Sequence, residues 1–277
     1  MVLEEILNPG EHLEKKPFGV FLIGFLYSSI AIIIAMGMFP NQASMVMVFL
    51  TVFASMHLVY VLIKSEEKKD TTYDRELTLL EEHGKTISIF LALFLGFIAS
   101  FTFWATVLPQ QATNNLFQIQ LQTINSINAA TSMAYSSQFF SFILTNNLKV
   151  LFFCILFSFI YGAGAIFILT WNASVGGAFL GNFIKAKLIE HGTLHSVALG
   201  MARYLPHGIL EMAAYFVGGL AGGIISVAVI NHDFGTKTFF KIVFDSSGLI
   251  LIAVALLVVA ALVEVFVTPN IVAMFSF

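Results

Sequence analysis

Six stretches of this chain carry about 20 consecutive, mostly apolar residues each: 18–39, 45–63, 86–108, 148–171, 206–230 and 247–268. A bilayer's hydrocarbon core is about 30 Å thick, a distance that about 20 residues of α-helix cross. In lipid, every backbone N–H and C=O must find its partner within the segment, so each stretch is read as a helix. The expected fold class is therefore all-α: a polytopic transmembrane helical bundle of about six spans with additional partial or interfacial helices. Composition supports this, because only 10% of the residues are charged against about a quarter in a soluble domain. A net charge of −3 offers no basis for a nucleic-acid partner. The single cysteine, Cys154, excludes a disulfide framework within one chain and reads as a small buried hydrophobe. No small-residue cleavage site follows the first apolar run, which is read as a retained span.

Two intervals fit no full span. Residues 109–138 contain no charge but much Gln, Asn, Ser and Thr; Leu116, Ile119, Leu121, Ile124 and Ile127 suggest an amphipathic helix on the membrane or on the other helices. Residues 174–204 are too short and too polar for two spans and read as partial, interfacial or re-entrant helices. Lys and Arg set the orientation. With six spans and the N-terminus inside, the inner segments hold Lys15, Lys16, Lys64, Lys68, Lys69, Arg75, Lys85, Lys185, Lys187 and Arg203, and the outer ones hold Lys149, Lys237 and Lys241. That bias places both termini in the cytoplasm of a multi-pass cell-membrane protein. The mixed-charge segment 64–85 is read as a solvated cytoplasmic helix, with docking of protein partners as its other role. Residues 1–85 form an N-terminal two-span module and 86–277 a second unit, the membrane core.

The residues able to carry chemistry are few. His207 and Glu211 are four apart and share one helical face. Pro206 suits the first turn of a helix, where its missing N–H costs nothing. Glu264 is the one ionisable residue of the last span. On the six-span reading it lies as deep as Glu211, about 7 Å from the inner end, and Asn172 reaches the same level. Intramembrane ionisable residues face the bundle interior and mark function. Three readings follow: a satisfied structural cluster, a polar pathway or pocket for a cation or proton, and a metal site. In the last, His207, Glu211 and Glu264 would ligate zinc and activate water for hydrolysis. Arg203, one turn before His207, either nears Glu211 or snorkels to headgroups. Asn146 and Asn147 are placed at the outer start of the fourth span, where a helix cap is expected. Gly218 with Gly222, and Gly219 with Gly223, let helices approach closely, either within the chain or across a homodimer.

Read together, these residues give a resemblance. "FSFILTNNLKV" (Asn146, Asn147), "IYGAGA", "TWNASVGGAFLG" (Asn172), "LPHGILE" (Pro206, His207, Gly208, Glu211) and "ALVEVFVTP" (Glu264, Pro269) follow one another within 86–277. In this order they resemble the stage II sporulation protein M family of polytopic membrane proteins, and the opening "MVLEEILNPGEHLEKKPFGVFLIGFLYSS" is similar to an extension of archaeal-type members. Pro-His-Gly-x-x-Glu is the most specific string. Asn172-Ala173 departs from the Asn-Gly that family members carry, which puts a turn at that site in doubt. The resemblance implies a membrane protein that, in spore formers, anchors a peptidoglycan-remodelling complex, and for the wider family it implies suspected transport. It also implies that His207, Glu211 and Glu264 belong together.

The expectation is thus a non-enzymatic membrane protein with a polar core of His207, Glu211, Glu264, Asn172, Arg203, Asn146 and Asn147 at the inner leaflet. It acts as a scaffold or as a small-solute or ion conduit; the alternative is an intramembrane metal-dependent hydrolase with Zn. Its expected partners are the lipid bilayer, a second copy through the glycine-lined helices, and proteins at the cytoplasmic loop.

Overall fold

The computed structural model describes residues 17–72, 76–131, 136–161, 164–231 and 235–274. Lys15, Lys16, Arg75 and Gly162 lie outside the described residues. Among those described, every regular element is helical. In chain order they are α1 (Pro17–Met38), α2 (Ala43–Thr72), α3 (Glu76–Val107), α4 (Gln110–Leu116), α5 (Gln118–Thr131), α6 (Ser136–Tyr161), α7 (Ala165–His191), α8 (Thr193–Asn231) and α9 (Lys237–Leu262). A π-helical turn, Val263–Val267, joins α9 to α10 (Thr268–Met274). The charged segment prolongs α2 and α3 as helix, as expected from its sequence.

Among the described residues, seven helices are long and apolar enough to cross a membrane. The additional one corrects the reading of 174–204: Ala165–Leu188 is a full-length candidate span, not a partial helix. The expected fourth span, 148–171, is in fact the end of α6 and the start of α7, separated at 162–164. Mean hydropathy explains the misreading, being 1.2 for Ala165–Leu188 and 1.9 or more for the other six. The polarity of α7 is used for packing. A Cβ on Gly177 would lie 2.4 Å from the Cβ of Phe101, and one on Gly181 would lie 2.4 Å from the Cβ of Ala105, so α7 rests directly on α3. Lys185 donates to the Leu108 carbonyl at 2.7 Å and to the Thr113 hydroxyl at 3.0 Å, placing a cation at the carboxyl end of α3, where the helix dipole favours it.

These contacts make α3 and α7 parallel. α1 also runs parallel to α3, held by mutual close approach at Gly24 and Gly96 and by Ser29, which meets Ser100 at 2.9 Å and accepts from the Trp104 indole at 3.2 Å. In place of the single amphipathic helix expected in 109–138 there are two, α4 and α5. Leu116 and Phe117 are buried, and Gln120, also buried, is clamped between α2 and α7: it accepts from Ser44 and donates to Ser174 at 3.2 Å.

At the centre stands α8, whose residues 214–224 are all buried. It packs on α2, α3, α6, α7, α9 and α10. Its glycines admit those neighbours: a Cβ on Gly218 would meet Leu151, one on Gly219 would meet Ala165, and one on Gly222 would meet the Ile155 carbonyl. The glycine face is thus filled within the chain. Core residues from Val20 to Leu257 form one continuous cluster.

Candidate functional site

Three elements position the polar residues: α6 and α8, side by side and parallel, and the distal end of α9 with its π-helical turn. Asn147 faces the interior of α6, 6% exposed, and its amide donates to a Glu211 carboxylate oxygen at 2.5 Å. One turn earlier on α8, His207 Nδ1 meets the Thr268 hydroxyl of α10 at 3.3 Å. Which of the two donates depends on the imidazole tautomer. Glu264 lies on the π-helical turn, within electrostatic reach of Glu211. Two tyrosines complete the wall. Tyr215 is 1% exposed, and Tyr204 sits edge-on to His207 with ring centroids 6.0 Å apart. The Tyr204 ring fits because Gly176 and Gly208 leave room; a Cβ on Gly176 would lie 2.4 Å from its hydroxyl.

His207, Glu211, Glu264 and Asn147 are therefore brought together, but not all in the expected roles. Asn147 caps nothing: α6 starts at Ser136, eleven residues before it, and its amide serves Glu211 instead. Asn146, its neighbour, is exposed on another face. Asn172 donates to the Ile168 carbonyl of its own helix at 2.8 Å. Arg203 is exposed, with its guanidinium 5.7 Å from the Phe179 ring centroid and 5.8 Å from that of Phe183; it stacks on α7 and leaves the carboxylates alone. Pro206 is no first-turn residue, since α8 runs unbroken from Thr193 through it. Thr268, Tyr204 and Tyr215 were missed. The only signal for Thr268 was its place beside Pro269, four residues after Glu264.

Helix direction also sets which end of the bundle the site is nearer. Because α7 runs parallel to α3, α8 starts from the end of the bundle that holds the carboxyl ends of α3 and α7. The cluster lies in the half of the bundle away from Pro17, not on the side of the N-terminus. Among the described residues, the helices at the Pro17 end carry Lys64, Lys68, Lys69, Lys85, Lys237 and Lys241, and those at the other end carry Lys185, Lys187 and Arg203.

Two irregularities of the backbone converge here. Pro206 has no N–H, so the Ala202 carbonyl loses its usual helical donor. The π-helical turn widens the backbone around Glu264 and, like most such turns, interrupts an otherwise regular helix. Two carboxylates in a low-dielectric interior are neutralised by protons or by a cation. Among the described residues, no three His, Cys, Asp or Glu side chains are grouped so as to hold a metal ion.

A family model described as Stage II sporulation protein M matches residues 46–269, from within α2 through the π-helical turn. An uncharacterized protein of Methanocaldococcus jannaschii is 31% identical over 189 residues, covering 67% of this chain and 94% of that protein. No solved structure matches.

Proposed function

The chain belongs to the stage II sporulation protein M family, and from that premise we propose that this integral membrane protein is a conduit for a proton or another small cation. The carrying observation is the convergence of Glu211, Glu264 and His207 where α8, helical throughout, contains Pro206 and α9 gives way to a π-helical turn. Ionisable groups beside irregular helix inside a membrane are a recurring construction of ion-binding sites, because irregular backbone there is tolerated only where it is buried in protein or lines a cavity. Glu211 and Glu264 supply the negative charge. Asn147 orients Glu211, and Thr268 orients His207.

Beyond the site the bundle is mostly apolar, with Ser158 the one polar side chain at the next cavity. A small cavity one to three turns farther along α8 is lined by Val59, Phe90, Leu169, Phe216 and Leu220, and Phe90 stacks on Phe216 at 5.5 Å. A conduit in this state is closed by an apolar constriction, a recognised gating device. Nothing in the geometry favours the zinc hydrolase.

The test is cation and proton flux into liposomes containing the purified protein. Wild type is expected to conduct, and Glu211→Gln, which keeps the Asn147 contact, is expected to lower flux at least tenfold with the fold retained. Flux absent from wild type, or equal in Glu211→Gln and Glu264→Gln, sinks the conduit and leaves a scaffold with a structural polar cluster.

A further inference from the structure

Helix α6 turns a polar stripe to its outer face. Gln138, Ser141, Thr145, Asn146 and Lys149 are exposed and, with Phe142, line a groove there. At about 100° per residue they centre opposite Asn147, which points inward. None is hydrogen-bonded among the described residues. Depth sets the stripe apart. Residues 138–160 form one candidate span, yet only 150–160 are mostly apolar, about 16 Å of helix and half a hydrocarbon core. The groove therefore reaches from the Ser136 end of α6 to about mid-membrane, where lipid tails offer amides and hydroxyls no partners. Its single charge is Lys149, and none of its lining residues is acidic.

We propose that this groove binds the headgroup of an anionic phospholipid, drawn into the membrane with its phosphate on Lys149. Charge selects the occupant. An unpaired ammonium at that depth is costly, and a phosphodiester supplies one compensating negative charge. A second copy of α6 would bring a second cation, and a choline headgroup would bring its own. Phospholipid lies against every lipid-facing surface, so no further protein is needed. Helical side chains lean toward the amino end, so Lys149 extends its stem toward Thr145, one turn nearer the membrane surface. There Thr145 and Asn146 donate to phosphate oxygens. Ser141 and Gln138, at the mouth, suit the hydroxyls of a glycerol headgroup. Beyond Lys149 the helix exposes Phe152 and Phe153, an apolar continuation for the acyl chains. The site is independent of ion conduction.

Lipid retention decides the matter in the full-length protein. From mixed micelles of phosphatidylglycerol and phosphatidylcholine, weighed by native mass spectrometry, wild type is expected to keep one phosphatidylglycerol in preference to phosphatidylcholine. Lys149→Gln should lower that retention about tenfold, the scale of one charge-assisted hydrogen bond. Lys149→Arg should keep it, and Lys237→Gln, at an exposed lysine on α9, should leave it unchanged. Moving the charge to the mouth of the groove, by Lys149→Gln with Gln138→Lys, should not restore it. All these substitutions replace exposed side chains, so folding is preserved. Equal retention in Lys149→Gln overturns the proposal, because the lipid is then annular only. Equal retention of the two lipids overturns it too, as does rescue by Gln138→Lys, which would mean attraction at the membrane surface. Displacement of the lipid by inorganic phosphate would mean a site for a free anion, and a second protein chain retained in place of lipid would mean a protein interface; either result overturns it as well.

Discussion

Asn147 shows how one residue's role depends on what lies across from it. In sequence it is half of an Asn-Asn pair near an apolar run, and an N-terminal cap is the economical reading. In the structure it is the hydrogen-bond donor to Glu211, and its neighbour Asn146 faces the other way. A buried carboxylate deprived of its donor bears the whole desolvation penalty, about 1–3 kcal/mol. Asn147→Leu is therefore expected to lower stability by that amount, read as the unfolding midpoint in detergent. A double-mutant cycle with Glu211→Leu, which removes the acceptor, should return a coupling of about 1 kcal/mol; strict additivity of the two changes would mean that the two side chains do not interact. His207 and Glu211 were legible because helical periodicity alone puts them on one face. Thr268, Tyr204 and Tyr215 were not, since hydroxyls and aromatics in an apolar helix look alike whether they face lipid or a carboxylate.

Between elements, packing is governed by where backbone meets backbone. α1 and α3 touch at Gly24 and Gly96: a Cβ on Gly96 would sit 2.2 Å from the Phe21 carbonyl oxygen and 2.9 Å from the Phe25 nitrogen. Both neighbours are main chain and cannot rotate away. Gly96→Ala is thus expected to destabilise by about 1–3 kcal/mol through forced separation of the helices. Gly37→Ala, with nothing within 4 Å, should change stability by less than about 0.5 kcal/mol. Equal effects of the two substitutions would show that the α1–α3 contact is looser than described. The same device explains why α7 escaped the sequence reading. Its glycines and asparagines lower its hydropathy, yet a helix enclosed by protein need not be as apolar as one bathed in lipid.

For the whole molecule, a seventh crossing would change the topology. Six crossings return the chain to the side it started from, and seven leave its ends on opposite sides. Reporter tags before Pro17 and after Met274 are expected to report opposite compartments, with the Pro17 end cytoplasmic because most Lys and Arg gather there. Both tags on one side would mean that one of the seven helices does not cross. Seven crossings would also put Glu211 and Glu264 in the half of the bundle away from the N-terminal side. A residue's depth along its helix reads the same either way, but its side of the membrane depends on every crossing before it.

Class and chemistry were written in the chain itself. Long apolar runs in a medium that cannot hydrogen-bond leave helices as the available fold, and an ionisable residue in such a run has to face other protein. The number of crossings, the partner of Glu211 and the use of the glycines were decided only by the packed bundle. Each depends on which face of a helix meets which neighbour across 60 or more residues of chain, as Asn147 meets Glu211, and no local pattern encodes that pairing.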